Sequence, residues 1–470
     1  MAKSLRVAIF IIQVYLISPL YSAPEYLKFD KENLKLYMFK NRYVKSTIKL
    51  WPSSKNSFSQ NVVINMHSTG NVGDPDLQWN IFGGHGVGSA DSTSGIVAVL
   101  DTGLHSHGAF QQRILPGADL VSNLVSANDG DGRDMDSNDP GDFLPDGESC
   151  EFGGGSNRSS WHGTHVAGIL AMSDPQMNLY GVSRKLNILP VRVLGSCGGS
   201  LRDLVDGILW AIGIKVDGLE LNEHLPGVLN LSLGAIGDCP KALQEVIYMA
   251  KNMGVAIVAS SGNSGYDLSE RTVFPSSCLG VLSVGATNEM GERAPYSNFG
   301  GDNIVYAPGG SYARGILSTT NTGATVAGED FYVEMIGTSM AAPHVSGLIL
   351  NLLHDFPELR PSDVQDVLLE IQKTQNGPVN YDAARSKFAE IDSDEFGFSE
   401  LLSSGDGSRN NFNGVSKTGQ KNSAVGCGAI STHHKFELIV SFMINFLIYQ
   451  IIVYSQRFLK QLFRPQLTLR

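Results

Sequence analysis

Charge is scarce in this chain, at 17% of 470 residues, and the scarcer sign is positive: 35 Lys and Arg against 46 Asp and Glu, a net charge of −11. That balance repels phosphate backbones and excludes nucleic-acid binding for the chain as a whole. Cysteine is sparse too. The five cysteines, Cys150, Cys197, Cys239, Cys278 and Cys427, include no C-x-x-C pair, so neither a zinc ribbon nor a thioredoxin-type motif is spelled out. No period of about 20 to 50 residues recurs, which argues against a solenoid or a propeller. With 42% hydrophobic residues the chain is neither disordered in bulk nor a polytopic membrane protein. Glycine is what abounds, 52 residues of 470, pointing to tight turns and to places where backbones approach closely.

The two ends read differently from the middle. Lys3 and Arg6 precede an apolar run from Val7 to Leu20, and Ser22 and Ala23 supply small residues that signal peptidase accepts, so residues 1–23 read as a cleaved secretory signal. Export makes disulfides the favoured use of the cysteines. Residues 391–435 form a linker whose stretch from Ser403 to Ser423 is rich in Gly, Ser and Asn. Residues 436–454 are apolar except for Glu437, Ser441, Asn445 and Gln450, and the tail at 455–470 carries Arg457, Lys460, Arg464 and Arg470 with no acidic residue. That stretch either spans a membrane with the basic tail inside or packs as an amphipathic helix. Together with Gly426-Cys427-Gly428 it resembles bacterial C-terminal sorting signals.

Between the ends, Ile96 to Leu100, Asn187 to Leu194, Val228 to Leu233, Ala256 to Ser260 and Val281 to Val284 are short runs rich in Leu and β-branched residues. Leu201 to Ile214 and Ala242 to Met253 place apolar residues at helical spacing between two such runs. The pattern predicts crossover βαβ units, hence a mostly parallel sheet with helices on both faces. One catalytic-size domain over residues 75–390 accounts for it.

Three short motifs carry chemistry. Asp101-Thr102-Gly103 puts a carboxylate at the C-terminal end of the first strand, the functional edge of such sheets. A pair of such motifs makes an aspartic protease, but this chain has one copy and would have to dimerise. His162-Gly163-Thr164-His165-Val166-Ala167-Gly168 starts a helix with an imidazole beside residues small enough for close packing. Its two histidines lack the Glu of H-E-x-x-H, which disfavours zinc. Gly337-Thr338-Ser339-Met340-Ala341-Ala342-Pro343-His344 places Ser339 where a long apolar helix begins, either as an N-cap or as a nucleophile held against an anion site.

In that order the three motifs resemble those of the subtilisin-like serine proteases, over about residues 75 to 385, and among them the secreted bacterial type with an aspartate-rich loop. The resemblance implies a three-layer subtilisin-like α/β fold. It implies that Ser339 attacks the scissile carbonyl, that His162 takes and returns the proton, and that Asp101 orients the imidazolium. Asn263, in Ser261-Gly262-Asn263-Ser264-Gly265, matches the oxyanion asparagine. Ser232-Leu233-Gly234 matches the segment on which an extended substrate adds as a strand, and Val273, two residues before Pro275, lines the primary pocket, favouring apolar side chains; nearby Asp238 would bias it towards basic ones. The resemblance also implies the pairs Cys150 with Cys197 and Cys239 with Cys278, leaving Cys427 over.

Asp129, Asp131, Asp134, Asp136, Asp139 and Asp142 crowd one loop between the first two motifs. Structural Ca2+ would relieve their repulsion, although no Glu closes an EF-hand, and a solvated loop is the alternative. No organic cofactor is implied. Residues 24–74 are short for the inhibitory propeptide usual in the family, with self-cleavage expected near Gly73 or Asp74. The sequence therefore predicts a monomeric, secreted or envelope-bound serine endopeptidase acting on proteins or peptides. The alternatives are a specialised processing or transpeptidating enzyme and a catalytically silent peptide-binding surface protein.

Overall fold

A computed structural model describes residues 49–52, 78–82, 95–110, 112–150, 156–374 and 377–393. Its strands in chain order are β1 (Lys49–Pro52), β2 (Gly95–Asp101), β3 (Ala118–Asp119), β4 (Ser173–Asp174), β5 (Leu179–Tyr180), β6 (Leu186–Arg192), β7 (Gly199–Ser200), β8 (Val228–Leu231), β9 (Leu233–Ile236), β10 (Ala256–Ser260), β11 (Val273–Phe274), β12 (Leu282–Thr287), β13 (Ile304–Pro308), β14 (Ile316–Asn321) and β15 (Asp330–Met335). The helices are α1 (Trp79–Phe82), α2 (Leu124–Ala127), α3 (His162–Ala171), α4 (Leu201–Ala211), α5 (Lys241–Asn252), α6 (Thr338–Asp355), α7 (Pro361–Thr374) and α8 (Tyr381–Ser393).

Seven strands form one parallel sheet in the order β13-β12-β10-β8-β2-β6-β3. A parallel sheet needs cover on both faces, and alternation along each strand supplies two apolar surfaces. In β2, Val97 and Val99 face a core shared with α3, α6 and α7, while Ala98 and Leu100 face a second core shared with α4 and α5. The result is a three-layer α/β fold, as expected. α4 begins where the Ser200 hydroxyl accepts the Asp203 N–H at 3.0 Å, a side-chain cap on the first turn.

The second sheet is small and lies at the site. It runs β11-β9-β1-β7, with β1 antiparallel to both β9 and β7: Trp51 opposes Gly234, Pro52 opposes Leu233, and Lys49 opposes Ser200. Two disulfides close loops, Cys150–Cys197 and Cys239–Cys278, with Cα separations of 5.6 and 5.2 Å. Both are the expected pairs. The expected strand from Val228 to Leu233 is broken at Ser232, so that its first half joins the parallel sheet and its second half the small one.

Among the described residues no helix is long and apolar enough to cross a membrane. The expected linker begins inside the described residues, since 391–393 complete α8, and its remainder lies outside them together with the expected signal, the span at 436–454, the basic tail and Cys427.

Candidate active site

Parallel strands deliver their C-terminal ends to one edge, and β2 ends there in Asp101, fully buried. Asp101 Oδ1 accepts the Thr102 N–H at 2.8 Å and lies 2.7 Å from His162 Nδ1. With Nδ1–H donating to the carboxylate, Nε2 is left as the basic nitrogen, and it is buried without a hydrogen-bond partner among the described residues. α3 can bring His162 so close because Gly163 has no side chain: a Cβ there would lie 2.1 Å from the Gly103 carbonyl oxygen.

Ser339 lies in the first turn of α6, and the N-cap position belongs to Gly337, so the capping alternative for Ser339 does not apply. Its Oγ–H donates to the Ser232 carbonyl at 3.2 Å, and Ser232 Oγ–H donates back to the Ser339 carbonyl at 2.8 Å. The serine hydroxyl is thus bonded to the turn between β8 and β9 rather than to His162 Nε2. Asn230 Nδ2 donates to Ser232 Oγ at 3.0 Å, which ties the strand to the nucleophile's turn. The resemblance placed Ser232 against substrate; the reciprocal bond to Ser339 had no sequence signal.

Asn263 follows β10 at the same edge. Its Oδ1 accepts the Thr338 N–H and the Thr338 hydroxyl, each at 2.9 Å, which fixes the amide with Nδ2 towards the Gly337 turn. The backbone at Gly337 holds φ 152°, which favours glycine, and a Cβ there would lie 3.2 Å from that nitrogen, a tight contact that would press on the amide. An amide donor and the start of a long helix converge on one small volume, where a developing oxyanion would be stabilised.

Leu233 and Gly234 pair with β1, while the next two residues of β9, Ala235 and Ile236, pair with β11. Val273 is buried in β11. A Cβ on Gly234 would lie 3.4 Å from Val273 Cγ1, and one on Gly262 3.9 Å, so the valine side chain stands between these two backbones. Asp238 is exposed and accepts the Thr272 hydroxyl at 2.8 Å.

The six aspartates do not converge. Asp129 pairs with buried Arg192, which also holds Asp119. Asp134 and Asp136 accept N–H groups two residues ahead, from Asp136 at 2.8 Å and Asn138 at 2.9 Å, and Asp131 is exposed. Asp139 and Asp142 turn inwards. Asp139 accepts the Thr102 hydroxyl at 2.7 Å, and Thr102 Oγ1 in turn accepts the Gly163 N–H at 3.1 Å. Asp142 accepts the Ser160 N–H at 2.5 Å and its hydroxyl at 2.9 Å. Burial, reinforced by the charge of Asp142, pushes Asp139 up to about 7. Among the described residues no three His, Cys, Asp or Glu side chains are gathered as a metal site requires. In this arrangement the six carboxylates do not fit a single calcium ion, and the inner two brace the turns that carry Asp101 and His162.

An Asp–His pair, a helix-start serine and an asparagine amide on one edge of a parallel sheet define a site of the serine-hydrolase kind. The chain belongs to the subtilase family, whose profile matches residues 92–399. It is similar to an extracellular protease of Xanthomonas campestris pv. campestris, 41% identical over 281 residues, covering 59% of this chain and 47% of that protein. It is similar to an extracellular basic protease of Dichelobacter nodosus, 38% identical over 318 residues, 64% of this chain and 51% of that one. Among solved structures, a protease from Pseudoalteromonas arctica matches with a TM-score of 0.60 and 38% identity, over 66% of this chain and 97% of that chain. The chain spans about half the length of these two curated relatives.

Proposed function

We propose that this chain is an exported serine endopeptidase that cleaves peptide bonds through an acyl-enzyme on Ser339. The observation that carries the reading is the 2.7 Å bond from His162 to Asp101 on an edge that also holds Ser339 and the oriented Asn263. As substrate enters, the Ser339 hydroxyl leaves the Ser232 carbonyl and gives its proton to His162 Nε2 as Oγ attacks. Asp101 stabilises the resulting imidazolium. The oxyanion accepts from Asn263 Nδ2 and the Ser339 N–H. His162 then protonates the leaving amine, and water deacylates the serine by the same route.

Substrate backbone adds as a strand beside Leu233 and Gly234, with Val273 at the floor of the primary pocket. A β-branched floor favours medium apolar side chains over aromatic ones, and the exposed carboxylate of Asp238, held by the Thr272 hydroxyl, would add a preference for basic groups. β1 supports a zymogen reading: residues 49–52 take the place of a substrate strand between β7 and β9 and run towards Ser232, the residue bonded to Ser339. The segment is then removed by cleavage downstream. Names of the relatives support secretion. Calcium is given no role.

Full-length protein purified beside Ser339→Ala tests the zymogen part. Intact mass should show residues 49–52 lost from the wild type and retained in the variant; identical N-termini in both would contradict it.

A further inference from the structure

His162 and Ser339 sit on separate helices, and one hairpin is bonded to both. β14 runs beside α3, where the Ser318 hydroxyl donates to the His165 carbonyl at 2.7 Å and the Thr319 hydroxyl to the Thr164 carbonyl at 2.8 Å. β15 receives the His165 Nε2–H at the Val333 carbonyl, 3.0 Å away, and ends at Met335, two residues before Gly337 and four before Ser339. The hairpin is therefore a strut from the histidine helix to the nucleophile's turn.

Its far end is fastened to the approach to His162. The Trp161 indole N–H donates to the Gly323 carbonyl at 2.7 Å, the Ser159 N–H to the Ala324 carbonyl at 2.8 Å, and the Ser159 hydroxyl to the Thr325 carbonyl. Asp330, at the start of β15, accepts the Gly108 N–H at 2.7 Å. Trp161 is buried and holds φ 50°, ψ 34°, the left-handed region, directly before the catalytic histidine. A bulky side chain rarely adopts that conformation, and where strain persists beside an active site the surroundings must hold it there. Here the holding group is visible: the indole bond to the hairpin tip.

We propose that Trp161 is a positioning residue, whose bond to Gly323 latches the β14–β15 hairpin to the turn carrying His162 and so sets the reach from His162 Nε2 to Ser339 Oγ. The inference rests on the endopeptidase reading. The latch matters because that hydrogen bond is not made in the resting arrangement. It has to form as substrate binds, and a misplacement of about 1 Å is enough to cost on the order of 100-fold in rate. Trp161 itself touches neither substrate nor reacting atoms.

The test uses the mature enzyme made from the full-length chain and its Trp161→Phe variant, which keeps an aromatic ring but removes the N–H along with the smaller ring of the indole, with Ser159→Ala as a milder lesion of the same latch that leaves Trp161 in place. Five quantities are read: the rate of fluorophosphonate labelling, kcat and KM on one peptide substrate, the pH profile of kcat/KM, and the unfolding midpoint. Trp161→Phe should lower both the labelling rate and kcat about tenfold, leave KM within about twofold and move the acid limb of the profile. Ser159→Ala should lower kcat two- to fivefold in the same pattern. A tryptophan with a merely structural role would lower the midpoint and leave kcat and the profile of the folded enzyme unchanged, which overturns the proposal. Should Trp161→Phe fail to fold, unchanged kcat in Ser159→Ala overturns it instead. Absence of labelling in the wild type defeats the endopeptidase reading itself, an outcome distinct from either.

Discussion

Two hydrogen bonds from Thr338 decide which way the Asn263 amide faces. With Oδ1 held by the N–H and the hydroxyl of one residue, the donor end can point only at the Gly337 turn. Asn263→Ala should therefore lower kcat by about 100- to 1,000-fold with KM little changed, read from steady-state kinetics on a peptide amide. An equal rise in KM instead would place Asn263 in ground-state binding. Val273 makes a second claim at this scale. Its methyl group stands between Gly234 and Gly262, so Val273→Gly should deepen the pocket and raise the preference for Phe over Val at the cleaved position by about tenfold or more. An unchanged ratio in a paired-substrate assay would remove Val273 from the pocket floor.

The elements divide by how locally they are determined. Ala256 to Ser260 reads as a strand and is one, because five consecutive apolar or small residues suit a position covered on both faces. The three motifs around Asp101, His162 and Ser339 are legible for the same reason: each is a short run whose chemistry is written in adjacent residues. β14 and β15 were not read, since Ile316–Asn321 and Asp330–Met335 are mixed polar segments whose burial comes from α3, more than 140 residues away. Trp161 gave no signal either, because a left-handed backbone is a property of what surrounds it. β1 is recognisable only through its partners β7 and β9. In sequence the aspartate loop reads as a calcium site or else a solvated loop, whereas its inner carboxylates find hydroxyl and amide donors on neighbouring turns.

At this scale the Cys239–Cys278 bridge also has a consequence. It joins the segment after β9 to the one after β11, the two strands around the primary pocket. Replacing both cysteines with serine should cost about 2–4 kcal/mol in denaturant unfolding, the usual yield of closing a loop of this length. A change below about 0.5 kcal/mol would mean that the pocket strands hold their place without it.

For the whole molecule, two buried histidines work against acid stability, while the buried carboxyls of Asp139 and Asp119, both raised to about 7, work for it. His344 Nδ1 donates to the Met340 carbonyl at 2.7 Å and Nε2 faces Asn80 Nδ2 at 2.8 Å, so the neutral ring is satisfied and a second proton has no acceptor there. Burial pushes His344 down to about 4 and His165 down to about 3. Both lie below the unfolded value of 6.5. Between those values the unfolded chain binds protons that the folded one does not, so stability present above pH 6.5 is lost as pH falls towards 4 and then 3. The slope is about 1.4 kcal/mol per pH unit for each ring. In unfolding curves recorded across that range on the Ser339→Ala protein, which cannot digest itself, adding His344→Gln should change the slope by about 1.4 kcal/mol per pH unit between pH 6 and 4.5, so that less stability is lost as pH falls. An unaltered slope would mean that His344 does not titrate as its surroundings require.

The central claim is that Ser339 is an activated nucleophile served by His162 and Asp101. Labelling of the mature wild-type protein with a fluorophosphonate, beside Ser339→Ala, tests it most directly. One adduct on Ser339, absent from the variant, is the predicted result. A folded, mature wild type that takes up no label would contradict it and leave a peptide-binding protein built on a protease fold.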